Sequence, residues 1–191
     1  MTTYIALLRA INVGGHKKIA MSDLRAFVKA LGFDDVRIQL QTGNLVFRGN
    51  ARASTTLERL LESETAERLE LQTDFFVRTD KELAAIIAQN PFPNEARRDP
   101  SHLVVLFLRD APPAAAVRAL QSVIKGPELV RAKGKQLYAI YPAGIGRSKL
   151  TNKLMEDKLG TRATGRNWNT LLKLAELAKG ASCPPDRIVV G

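Results

Sequence analysis

The hydrophobic pattern changes period along the chain, and each change marks an element. Tyr4–Leu8 is a short apolar run, which predicts a buried strand. Leu24, Phe27, Val28 and Leu31 then fall at helical spacing, with Ser22 as the expected N-cap and Gly32 as the stop. Val36–Gln41 and Leu45–Arg48 alternate with period two about Thr42-Gly43-Asn44, the pattern of a hairpin whose turn takes positive φ at Gly43 or Asn44. Leu57, Leu60, Leu61 and Leu69 predict a second helix, and Leu71–Arg78 a closing strand. The order β-α-β-β-α-β is the split βαβ, or ferredoxin-like, unit.

The layout then repeats. Asp80 is placed to cap a connecting helix through Leu83, Ile86 and Ile87, which Pro91-Phe92-Pro93 ends, and a polar linker runs to about residue 100. Leu103–Leu108 reads as a strand, Ala114–Ile124 as a helix, and Glu128–Ala132 with Gln136–Tyr141 as a hairpin about Lys133-Gly134-Lys135. Lys149–Lys158 follows as a helix and Thr161–Thr164 as a short strand. A last helix runs from Trp168 to Lys179 with Gly180 past its end. The expected fold is α+β: two ferredoxin-like (βαββαβ) subdomains from an internal duplication, plus a C-terminal helix. The expected boundaries are 1–79 for the first subdomain, 80–100 for the connecting helix and linker, 101–180 for the second subdomain with its terminal helix, and 181–191 for a tail.

Composition narrows the class. With 191 residues, 45% of them apolar and 25% charged, the chain has material for one ordinary core or two small ones. No apolar run approaches the roughly 20 residues that span a bilayer, and the first residues lack the pattern of a secretory signal, so no membrane association and a cytoplasmic location are expected. A lone cysteine, Cys183, excludes a disulfide framework and a thiolate metal cluster.

The net charge of +10 is unevenly placed. Residues 131–179 hold eleven Lys or Arg against three acids, residues 1–50 seven against three, and residues 51–130 ten against twelve. A surface for polyanions would therefore be made by the two ends of the chain; the plainer account is a basic protein kept in solution by its charge.

The candidate chemistry lies in the same basic stretches. Gly144-Ile-Gly-Arg-Ser-Lys-Leu-Thr-Asn-Lys precedes a helix, so Gly144 and Gly146 would let backbone N–H groups approach an anion, with Arg147, Lys149 and Lys153 beside them and Ser148 as the N-cap. The G-x-x-x-x-G-K-[ST] spacing of a P-loop is absent, and an ordinary glycine turn with a cap explains the same residues. In Arg166-Asn167-Trp168-Asn169-Thr170, Asn167 is the expected N-cap, while Trp168 either stacks a base beside Arg166 or is buried and locks the last helix in place. Asn12-Val-Gly-Gly-His-Lys-Lys puts Gly14 and Gly15 in a loop with His16 and Lys17, either a small nest of N–H groups or a basic connection. The two histidines, His16 and His102, have no local Cys, Glu or Asp partner that suggests a metal set, and no pattern names a cofactor.

Four strings, Leu7-Leu-Arg-Ala-Ile-Asn-Val-Gly-Gly-His, Gln41-Thr-Gly-Asn-Leu-Val-Phe, Gly144-Ile-Gly-Arg-Ser-Lys-Leu and Thr164-Gly-Arg-Asn-Trp-Asn-Thr, resemble the DUF1697 family of bacterial proteins, over about residues 1–180. The resemblance implies a two-lobed α+β protein and, since the family is one of unknown function, no activity. Where the family usually reads Arg-Gly-Ile-Asn-Val and Gln-Ser-Gly-Asn, this chain has Ala10 and Thr42.

The leading expectation is a protein that binds a phosphate-bearing partner, nucleic acid or a nucleotide, through its basic C-terminal half. Alternatives are an enzyme gripping an anionic substrate between the lobes, with Gly14–Lys18 and Gly144–Lys149, and a ligand-free interaction module. Oligomeric state leaves no signal in the sequence.

Overall fold

Each apolar run finds its partners in one of two four-stranded antiparallel sheets. The computed structural model describes residues 1–9, 19–39 and 43–181. In the first half β1 (Thr2–Leu8), α1 (Met21–Ala30), β2 (Asp34–Gln39), β3 (Asn44–Gly49), α2 (Ser54–Leu69), β4 (Phe75–Thr79) and α3 (Asp80–Ala88) follow in order. A short α4 (Pro93–Arg98) and a 3-10 turn at Pro100–His102 lead to the second half. There β5 (Leu103–Leu108), α5 (Ala114–Val123), β6 (Leu129–Lys133), β7 (Gln136–Ile140), α6 (Asn152–Leu159), β8 (Ala163–Asn167) and α7 (Trp168–Ala181) repeat the sequence of elements.

Strand order is β2-β3-β1-β4 in one sheet and β6-β7-β5-β8 in the other, the arrangement a ferredoxin-like unit requires. The unit that repeats is one element longer than expected: α3 and α7 occupy the same place, each starting directly after its half's last strand. Thr79 caps α3 in a capping box with Glu82, and Asn167 stands at the equivalent position before α7, its Oδ1 accepting from Asn169 N–H.

Burial follows the pleat. One face of the first sheet packs Tyr4, Ala6, Leu8, Phe47 and Phe75 against Leu24, Phe27 and Val28 of α1 and Leu57 and Leu61 of α2. In the second sheet Leu106, Leu108, Leu137 and Ala139 meet Leu120 of α5 and Met155 and Leu159 of α6. The opposite faces, with Ile5, Leu7 and Phe76 from one sheet and Val105, Phe107 and Tyr138 from the other, close on a shared core with α3 and α7. Side chains alternate faces along a strand, so one apolar strand serves two cores at once.

The halves are also held by a reciprocal set of arginines. Arg78 on β4 donates to Leu108 O at 3.4 Å, and Arg166, at the matching position on β8, donates to Leu8 O at 2.8 Å. Arg9, just past β1, reaches Glu156 of α6 at 2.8 Å; Arg109, just past β5, reaches Glu58 at 3.1 Å and also Glu62 of α2. Arg78 lies over the ring of Phe107 and Arg109 over that of Phe76, again across the halves.

Several local expectations are corrected. Ser22 lies inside α1, whose N-cap is Ala20, and its hydroxyl turns to Asp23. Thr79, not Asp80, caps α3. The closing strand starts at Phe75 rather than Leu71, because pairing with β1 begins only there. Gly180 continues α7 instead of ending it, its carbonyl accepting from Arg37 of β2. The hairpin turn does take positive φ at Gly43 (+74°). Asn12, Gly14, Gly15, His16, Lys17, Thr42 and the expected tail from Ser182 lie outside the described residues.

Candidate functional site

The two halves differ most where the second hairpin strand hands over to the second helix. In the first half β3 and α2 are joined by four residues, 50–53; in the second, β7 and α6 are joined by eleven, 141–151. The longer connection holds the glycine-spaced loop. Gly144, at φ +83°, turns the chain into a single 3-10 turn over Ile145–Arg147, a conformation that a side chain at 144 would strain.

Ser148 is not the cap of α6. Thr151 is: its Oγ1 accepts from Leu154 N–H at 3.2 Å, so α6 starts at Asn152 and Lys149 stays in the loop. The Ser148 hydroxyl instead accepts from Leu150 N–H at 3.0 Å and donates to a Glu128 carboxylate oxygen. The loop amides divide. Those of Gly144, Arg147 and Ser148 donate to the loop's own carbonyls, at Tyr141, Gly144 and Ile145. Among the described residues, those of Ile145, Gly146 and Lys149 have no such partner.

Beneath the loop a groove of about 350 Å³ runs between the end of α5 and the start of α6. Its floor is apolar, with Val123, Ile124, Leu150 and Leu154; Lys125, Arg147 and Lys149 line it as cations, and Glu128 is the one acid lining it among the described residues. Arg147 and Lys149 are exposed, and among the described residues neither they nor Lys125 form an ion pair. Glu128 also acts on Tyr141: burial first, and this carboxylate second, push the phenol up to about 12, while its hydroxyl donates to Leu150 O.

The other predicted residues are placed differently. Lys153 lies on the exposed face of α6 and pairs with Asp157 one turn on, at 3.0 Å. Arg166 sits on β8 and is taken up internally, donating to Asn44 Oδ1, Thr164 Oγ1, Gly165 O and Leu8 O, with desolvation lowering its pKa to about 10. Asn167 donates to Ser101 O as well as capping α7. Trp168 is only 5% exposed and belongs to the shared core, so of its two readings the structural one holds and a stacking platform does not. Arg166 and Asn44, from two of the four strings that carried the family resemblance, thus meet at the junction of the halves.

Sequence reasoning missed Lys125 and Glu128. Lys125-Gly-Pro-Glu128 is a turn signal between α5 and β6, which marks a loop but not its partner twenty residues on. It also missed a pairing of His102, whose Nδ1 lies 2.6 Å from Asp99 Oδ2. Ser101, donating to the same carboxyl, holds Asp99 below the usual carboxylate range. No cluster of three or more His, Cys, Asp or Glu suited to a metal ion occurs among the described residues, and none of the described helices is long and apolar enough to cross a membrane.

A family model described as a protein of unknown function, DUF1697, matches residues 1–138. The solved structure of the conserved bacterial protein SP0830 from Streptococcus pneumoniae superposes with a TM-score of 0.72 at 21% identity, covering 93% of this chain and 98% of that one. At that identity the likeness is one of fold. No curated protein matches. The family match stops at residue 138, before the eleven-residue connection.

Proposed function

Since the chain belongs to the DUF1697 family, which carries no assigned activity, its role must come from its own residues, and we propose that it binds a phosphate-bearing ligand of about nucleotide size in the groove under the Gly144–Lys149 loop. One observation carries this reading: Lys125, Arg147 and Lys149, none of them in an ion pair with a described residue, surround an apolar-floored groove of about 350 Å³. Ligand sites combine such a floor, which takes a ring or chain, with a few charged groups that fix orientation, and this volume falls at the small end of their range. The N–H groups of Gly146 and Lys149 supply further donors for phosphate oxygens.

A nucleotide fits better than a nucleic acid strand. Lys153 is paired with Asp157, Arg166 is spent between the halves, and Trp168 is buried, so three residues that an extended strand would use are engaged elsewhere. We take 1–79 and 101–180 as subdomains joined by 80–100, acting in the cytoplasm, with the ligand held by the second.

A thermal-shift screen with nucleotides, sugar phosphates and short oligonucleotides tests the reading. A ligand at about one hundred times its Kd stabilises the folded state by about 2.7 kcal/mol, a rise of several degrees in Tm. The expected result is a rise with mononucleotides that is lost in the Arg147→Ala, Lys149→Ala double variant. No rise with any phosphate compound, or a rise that the double variant keeps, rejects the site.

A further inference from the structure

The cationic groove already holds an anion of its own. The Glu128 carboxylate lines it, held by the Ser148 hydroxyl, and fills space that exists only because residue 126 is glycine: a Cβ there would lie 2.1 Å from Glu128 Oε2. No lysine or arginine of the groove comes within ion-pair distance of it among the described residues, so the carboxylate offsets the three cations through the groove without closing on any of them.

We propose that Glu128 is a built-in competitor that makes the groove selective for ligands carrying two or more negative charges. The inference rests on the reading of the groove as a phosphate site and adds the rule by which that site chooses. A monoanion entering beside three cations and one carboxylate gains one attractive set of interactions and meets repulsion from a charge equal to its own. Moving the carboxylate off the Ser148 hydroxyl costs the same for every ligand, whereas the attraction of the cations doubles or triples for a dianion or trianion, so these ligands and not monoanions swing it out of the groove. Ser148 is then freed to donate to the incoming phosphate. Carboxylic acids, sulfonates and other single charges are thereby excluded, and phosphomonoesters and diphosphates admitted.

Two variants separate charge from position. Glu128→Gln removes the charge and keeps the shape; Gly126→Ala keeps the charge and evicts the carboxylate by steric contact, at a position whose φ lies outside the left-handed region. Calorimetric titration of the full chain with pyrophosphate, and separately with benzoate, is the measurement. In the wild type, pyrophosphate is expected to bind and benzoate not to. Glu128→Gln should tighten pyrophosphate binding about threefold or more and bring benzoate into the measurable range, a narrowing of selectivity that a merely structural glutamate would not produce. Gly126→Ala should act in the same direction.

Wild-type pyrophosphate binding that is unchanged or weakened in Glu128→Gln, with benzoate still excluded, overturns the competitor role while leaving the phosphate site standing. Absence of binding in the wild type and in both variants removes the site, and the competitor with it. Pyrophosphate binding that appears only in the variants overturns the selection rule as well, because the wild-type groove would then exclude dianions together with monoanions.

Discussion

The two halves reuse one layout but spend its polar positions differently. Matching arginines cross the junction in both directions, yet Arg109 gathers three acids, Glu58, Glu62 and Asp74, whereas Arg9 meets Asp74 at 3.5 Å and Glu156. The same strand position carries Arg78 beside Glu58 in one half, and Arg166 among the amide of Asn44, a hydroxyl and carbonyls in the other. Between β3 and α2 the first half turns in four residues; between β7 and α6 the second takes eleven and exposes cations. What the repeats share therefore holds the molecule together, and where they differ is where the proposed ligand groove lies.

The sharpest contrast in stability lies at the first residue of the matched helices. Trp168 opens α7 inside the shared core; Asp80 opens α3 near the surface. Trp168→Ala is expected to cost about 3–5 kcal/mol and Asp80→Ala about 0.5 kcal/mol or less in chemical denaturation. Equal losses would break the assignment of Trp168 to the core.

Next comes the asymmetry of the arginine crossings. Arg109→Ala strands the buried Glu58 carboxylate with only Arg78, 3.5 Å away, and Val77 N–H, for a loss of about 2–3 kcal/mol. Arg9 is more exposed, so Arg9→Ala should cost about 1 kcal/mol or less. The denaturation midpoints of the two variants decide it, and a reversed order would show that the crossings are not graded by burial.

These contrasts also mark how far the sequence could be read. Strands were legible because apolar runs such as Leu103–Leu108 have no other use, and the repeat was legible as an order of elements. Caps were not: Ser22 and Asp80 have the right side chains but lie within their helices, while Ser148, though extended and accepting from Leu150 N–H, is followed by more loop, and it is Thr79 and Thr151 that stand where the helical backbone begins. Pairing across the junction was illegible because Arg9 and Glu156 are 147 residues apart. Of the candidate site, the loop was visible through its glycines, while Lys125 and Glu128 join it only through the packing of α5 beside α6.

For the site itself, the Arg147→Ala, Lys149→Ala double variant should weaken pyrophosphate binding about tenfold or more, as each lost charge-assisted contact is worth about 1 kcal/mol or somewhat more. Arg52→Ala, in the short connection of the first half, should leave binding within about twofold. A smaller effect is expected at Tyr141. Its pKa of about 12 is raised above the unfolded value of about 10, so the stability it confers is complete below about pH 10 and is lost as pH rises towards 12. Glu128→Gln should lower the pKa of Tyr141 while leaving Tyr138, raised to about 12 by burial alone, where it is. Ultraviolet absorbance titration of the phenolates reads both; a Tyr141 that does not move would separate it from the groove.

The most direct test compares the two connections in one spectrum. Titrating isotopically labelled protein with pyrophosphate while following backbone amide resonances should move Gly146 and Lys149 first and furthest, and leave Ala51, Arg52 and Ala53 unmoved. Shifts of equal size in both connections, or none in residues 144–149 at saturating ligand, would contradict the division into shared scaffold and second-half ligand site.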